Sequence, residues 1–160
     1  MTIIMPPQSL TTDLQADILD GLATYLAALV SFPVYYPELP RSVNVDVSTN
    51  TLPQCAVLSD GGDAPSAGSN SYVKIARVRA DIRCYGRTML EAKATYRRLA
   101  TLLKELRPVT VIVGPAGGET RVFLHNAIHS AGPIPLIDPE TSWPFVVATW
   151  GISGSEVEIP

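Results

Sequence analysis

The chain has 160 residues, a mass of 17.2 kDa and a formal net charge of −3. Hydrophobic residues make up 46% and charged residues 17%, a balance that excludes a disordered acidic or basic tail protein and leaves enough apolar material for a real core. The longest apolar stretch, Leu26–Val30, is far shorter than the roughly 20 residues of a membrane span. The expectation is one domain over 1–160, with an N-terminal arm at 1–11, a flexible loop at 59–71 and a C-terminal tail at 154–160.

The opening MTIIMPPQSL has no Lys or Arg before its short apolar run and no small-residue cleavage pattern, so no secretory signal is expected. Thr12 and Gln15 form a capping box. Behind them Leu14, Ile18, Leu22, Tyr25/Leu26 and Leu29 recur at helical spacing. This predicts a helix over about 13–30, closed before Phe32-Pro33 and weakened at Gly21 by about 1 kcal/mol relative to Ala. A Pro-rich connector follows, with two short strands expected at Val43–Val47 and Cys55–Leu58. SDGGDAPSAGSNS, residues 59–71, has loop composition and is long enough to suggest a binding role or disorder.

Residues 72–85 give the clearest strand. Ala76, Val78, Ala80, Ile82 and Cys84 alternate with Arg77, Arg79, Asp81, Arg83 and Tyr85. Val73 and Ile75 fall on the charged parity, which predicts a bulge or a change of burial near residue 75. Gly86 turns the chain. Thr88 and Glu91 form a second capping box, opening a helix over about 89–107 with the seam Ala92, Tyr96, Leu99, Leu103 and Leu106. Lys93, Arg97 and Lys104 share one flank; Glu91, Arg98 and Glu105 share the other. Pro108 stops the helix. Strands are then expected at Val109–Val113, Thr120–His129 and Phe145–Ile152, with GPAGGE as a hairpin-type loop and SAGPIPLIDPETSWP as an irregular stretch. Strands outnumber helices and the last three are close in sequence. The fold class is therefore α+β: a mainly antiparallel sheet with two helices packed on it.

Little catalytic chemistry stands out. GPAGGET has no Lys and reads as a turn, and GxSxG and GxGxxG are absent. His125 and His129, four apart in a strand, should share one face, but a metal would need a third ligand from Cys55, Cys84 or Asp138. The expectation is no catalytic residue, no metal and no cofactor. Cys55 and Cys84 each sit in an apolar run and are read as buried thiols.

Charge is the more informative feature. Residues 74–107 hold ten of the twelve basic residues against three acids, a local balance of +7; the remainder carries two basic residues against twelve acids, or −10. Three readings compete for the basic stripe: a solvated face, a protein contact, or a phosphate-binding surface with Tyr85 and Tyr96 as stacking partners.

The order of features resembles a known family. A capped helix leads into a Pro-rich segment and polar loop, then the strand RVRADIRCYGRT, the helix MLEAKATYRRLATLLKELR and late strands ending in WPFVVATWGI. Over about 12–153 this is similar to the tail terminator (tail completion) proteins of long-tailed bacteriophages. The resemblance is one of pattern, since the family has no diagnostic short motif. It implies a β-sheet with helices packed on it. It also implies a homo-oligomeric ring, commonly a hexamer, that caps the tail tube, stops its growth and offers a surface to the head–tail connector or neck protein. The expected location is the head-proximal end of the virion tail, reached from the host cytoplasm during assembly. DNA would pass through the lumen without specific binding, no membrane is involved, and the protein is not an enzyme. The expected contacts between subunits or rings place Arg77, Arg79, Arg83, Lys93, Arg97 and Lys104 against acids such as Asp13, Asp17 and Asp20. The segment Ser155–Ile159, alternating polar and apolar, is a candidate strand for addition to a neighbour. Competing readings are a neck adaptor or head-closure protein of the same virion, and a nucleic-acid-binding module using the basic strand and helix of 74–107.

Overall fold

A computed structural model describes residues 10–61, 75–114 and 119–157. The described residues form two helices and six strands: α1 (Leu10–Leu29), β1 (Val34–Tyr35), β2 (Cys55–Asp60), β3 (Ile75–Tyr85), α2 (Met89–Lys104), β4 (Val109–Val113), β5 (Thr120–Ile137) and β6 (Pro144–Val157). The strands form one curled sheet in the order β1-β2-β3-β6-β5-β4. Only β1 and β2 pair in parallel; the other four pairings are antiparallel. The fold is α+β, with both helices on the same face of a mostly antiparallel mixed sheet.

The alternation in β3 builds that arrangement. Ala76, Val78, Ala80, Ile82 and Cys84 are all buried and join Ile18, Leu19, Leu22 and Leu26 of α1 and Tyr96, Leu99 and Leu103 of α2 in one core. Trp150 of β6, opposite Ala80, lies at its centre, and its Nε1 donates to Tyr96 Oη at 3.3 Å. Trp150 is the largest fully buried side chain among the described residues, and its one polar atom is satisfied. A second, smaller cluster sits on the other face. Leu52, Cys55, Val57, Tyr85 and Phe145 are covered there by Leu39, Val43 and Trp143, so the connector between β1 and β2 folds over one end of that face.

Helix α2 has Thr88 as its N-cap, as its sequence predicts, but Glu91 reaches back to the amide before the cap instead of to that of Thr88. Thr88 Oγ1 accepts from the Glu91 amide at 3.2 Å, and Glu91 Oε1 accepts from the Arg87 amide at 3.2 Å. The helix ends at Lys104 with Glu105 as C-cap, three residues before the expected limit, but Leu106 is still buried. Gly86 is required at the turn. A Cβ there would lie 2.6 Å from the Ala92 amide nitrogen.

Several expectations are corrected. α1 begins at Leu10, so Thr12 stands inside the helix rather than at its cap; Leu10 lies four residues before Leu14 and continues the apolar spacing. Residues 43–47 form no strand. Asp46 Oδ1 accepts from the Ser48 amide at 3.0 Å and folds the chain into a turn, leaving a single bridge between Asp46 and Thr51. β1, two residues long, was not expected. Register between β3 and β6 is unbroken from Ile75, so no bulge falls in the described part of β3, while Val73 and the burial of Ile75, on which the expected change of burial turns, lie outside the described residues. Register shifts are seen in β5, between Leu124 and Asn126, His129 and Ala131, and Ala131 and Ile134.

The largest difference is in the last hairpin. β5 does not stop at His129 but runs to Ile137 through the Pro-rich stretch, and β6 runs on to Val157. β4 covers only Thr120–Leu124 of β5, so among the described residues nothing pairs with its outer edge from His125 onward. Proline is tolerated in such a strand because half of its backbone groups face no ladder partner. Residues 154–157, expected as a tail, belong to β6: Ser155 pairs with Phe123 and Val157 with Arg121. The proposed strand for a neighbour is thus used in the chain's own sheet as far as Val157. Residues 1–9, most of the 59–71 loop, 115–118 of the GPAGGE loop and 158–160 lie outside the described residues.

Candidate assembly interface

The face of the sheet away from the helices carries the basic row. Residues directly opposite one another in a ladder share a face, so register assigns the neighbours. Arg77 aligns with Ser153 and Asn126, Arg79 with Gly151 and Ile128, Asp81 with Thr149 and Ala131, and Arg83 with Val147 and Ile134. Arg77, Arg79 and Arg83 are exposed, as are Ile128 and Ile134. Small residues of β6 (Thr149, Gly151 and Ser153) form a shallow furrow between a cationic bank on β3 and an apolar bank on β5. Leu136, opposite Phe145, extends the apolar bank at one end, and Ile112 of β4, opposite Arg121, is exposed on the same side near the other end of the sheet.

Charge within this face is partly met at one end, where Arg83 hydrogen-bonds to Tyr85 and lies near the Asp138 carboxylate. Asp81, between Arg79 and Arg83, accepts from Thr149 Oγ1 at 2.8 Å. Arg83 lies over the Phe145 ring, 5.6 Å from its centroid, a cation–π contact at the covered end of the face. Among the described residues Arg77, Arg79 and Arg83 make no ion pair; the two that exist join Arg87 to Asp46 at 2.6 Å and to Glu91 at 3.7 Å.

The acids expected to meet this row are on the other side of the molecule. Asp17 and Asp20 stand on α1, half-buried, near Tyr36. Burial raises the Tyr36 pKa most, and the nearby carboxylates of Asp60, Asp20 and Asp17 raise it further. The Asp13 side chain lies outside the described residues. Since α1 packs on the helix face of β3 and the Arg row projects from the opposite face, the sheet separates the two sets within one subunit. Lys93, Arg97 and Lys104 are not part of the Arg row. They lie together on α2, on the helix side, where they border a cleft against β5 and β6.

The histidines part company. His125 Nε2 lies 3.2 Å from Ser155 Oγ on the open face, with its ring edge-on to Phe123. His129 packs edge-on against Trp150 on the helix side, ring centroids 5.2 Å apart. The register shift between Leu124 and Asn126 inserts a residue and breaks the simple alternation that would have put both on one face. Among the described residues there is no cluster of three or more His, Cys, Asp or Glu able to hold a metal. Cys55 and Cys84 are both buried, as read, but on opposite faces of the sheet. Burial pushes the Cys55 thiol up to about 11 and raises Cys84 as well. Neither is a nucleophile poised near neutrality. Tyr85 and Tyr96 are buried too, which removes the stacking aromatics that a nucleic-acid surface on this row would use.

Sequence reasoning placed the Arg row and its exposure but missed the apolar bank beside it. Ile134 and Leu136 alternate with prolines, and that alternation was the available signal. No protein-family model matches the chain, and no curated protein matches its sequence.

Proposed function

We propose that this protein is a structural component that assembles by joining unlike faces of identical copies into a closed ring, and that it serves as a phage tail terminator. The observation that supports this reading is that the exposed Arg row and the α1 carboxylate of Asp20 stand on opposite sides of the sheet, so these groups do not meet inside one subunit. Unlike patches on one subunit generate head-to-tail association, which closes when the rotation per subunit divides a full turn. The apolar bank of Ile128, Ile134 and Leu136 beside the Arg row supplies area to desolvate, while the charges set register and partner. The tail-specific part of the reading rests on the resemblance in element order. On that reading the ring acts by geometry. One face fits the end of the tube, and the other does not template a further tube subunit but receives the connector.

The test is light scattering together with electron microscopy of the purified protein, alone and with tail tubes. A particle several times 17.2 kDa, annular in projection and seated on tube ends, is the expected result. A strictly monomeric protein that ignores tubes rejects the proposal. Annuli that bind the portal side but not tubes move the protein to the neck adaptor reading.

A further inference from the structure

The cations of α2 face a different feature. Between α2 and the β5–β6 hairpin runs a cleft made of two adjoining parts, about 470 and 350 Å³, which share Tyr96, Arg97 and Pro133 in their walls. Lys104 stands at one end and Lys93 at the other, with Arg97 between them. Pro133, Pro135 and Val146 supply apolar floor. No acidic residue lines either part, and among the described residues Lys93, Arg97 and Lys104 make no ion pair.

From Lys93 to Lys104 the helix rises about 16 Å. That is the length of about five residues of extended chain. An extended segment with acids at every second position would present carboxylates roughly 6.6 Å apart to α2 and turn its alternate side chains to the floor. We infer that this cleft binds an extended acidic segment of a partner protein, with carboxylates alternating with apolar side chains. Two observations favour a peptide over a nucleic acid. Trp150 and Tyr96 line the cleft but are buried and hydrogen-bonded to each other, so the one exposed ring in its wall is that of His129, in the part next to Lys104. The part next to Lys93 has Pro133, Pro135 and Val146 in its floor, which suits aliphatic side chains. Pro133 and Pro135 have no amide hydrogen, so the segment is held by charge and apolar contact rather than by a continuous backbone ladder on the β5 edge. The inference does not rest on the tail assignment, because the cleft and the Arg row lie on opposite sides of the sheet.

The test uses the full chain and a fluorescein-labelled peptide, GEVEVEG, followed by anisotropy. The expected result is saturable binding that weakens as salt rises. The double variant Lys93→Glu, Arg97→Glu should bind about tenfold more weakly or worse, while Arg41→Glu, exposed in the connector between β1 and β2, should bind as the parent does. Both cleft substitutions are at exposed positions; if the double variant melts early, Lys104→Gln alone should still lower affinity measurably. Absence of saturable binding, equal binding by the cleft variants, or tighter binding of a charge-matched oligothymidylate that the same cleft substitutions abolish would each overturn the inference.

Discussion

Two glycines show how closely backbone space is used. Gly21 lies in α1, where a Cβ would meet Val122 at 3.5 Å and Val113 at 3.7 Å, ordinary contact distances. Gly21→Ala should therefore stabilise the protein by up to about 1 kcal/mol, through helix propensity and a less entropic unfolded chain. Gly86 is the opposite case: its Cβ would meet the Ala92 amide at 2.6 Å and Glu91 Cβ at 2.8 Å, so Gly86→Ala must push the start of α2 away from β3. Thermal melts of the two variants should move in opposite directions. Asp46 is a residue whose contribution depends on pH. Its bonds from Ser48, and next from Arg87, lower its pKa from 3.8 to about 2. A carboxylate with a depressed folded pKa contributes stability that is present above the unfolded value and lost as pH falls towards the folded one. The parent should thus lose melting temperature between about pH 4 and pH 2 more steeply than Asp46→Asn, whose remaining loss comes from other carboxylates.

At the scale of elements, what could be read from the chain followed from how loudly each element speaks. β3 was legible because five small or apolar residues alternate with charge, and α2 because Thr88 and Glu91 mark its start and five apolar residues its seam. Thr88→Ala removes the acceptor for the Glu91 amide and should cost about 1 kcal/mol, or about 3 °C in the melt. The second half of β5 was not legible because Pro133 and Pro135 are turn signals in any central strand. Only its position at the sheet edge permits them, and position is a property of the topology. β1 is too short to show a period. The histidine faces depended on a bulge, which leaves no mark in the residue types around it. The candidate interface was half visible for the same reason. The Arg row follows from alternation, but the side of the sheet on which α1 would set its acids, and the cleft that collects Lys93, Arg97 and Lys104, follow from how the helices cross over the strands.

For the whole molecule the decisive quantity is where opposite charges meet. Arg79 sits in the middle of the open face opposite Gly151, whose lack of a side chain leaves the guanidinium accessible, and Asp20 is on α1 behind the sheet. Within one subunit neither can neutralise the other, so any coupling between them must be carried by contact between copies. Arg79→Glu alone should place a carboxylate in the row and weaken association. Asp20→Arg alone should do the same from the other side. If the two surfaces meet in the assembly, combining the reversals restores the attraction with its sign exchanged, and sedimentation of the double variant should return towards the parent's mass. A double variant that dissociates as the sum of the two single ones would show that Arg79 and Asp20 do not face each other. Association should also weaken as ionic strength rises, because an exposed pair is screened over about 8–10 Å at physiological salt, while the apolar contact through Ile128 and Ile134 is not. An oligomer indifferent to salt but lost on Ile128→Glu would make the apolar bank, rather than the Arg row, the principal contact of the open face.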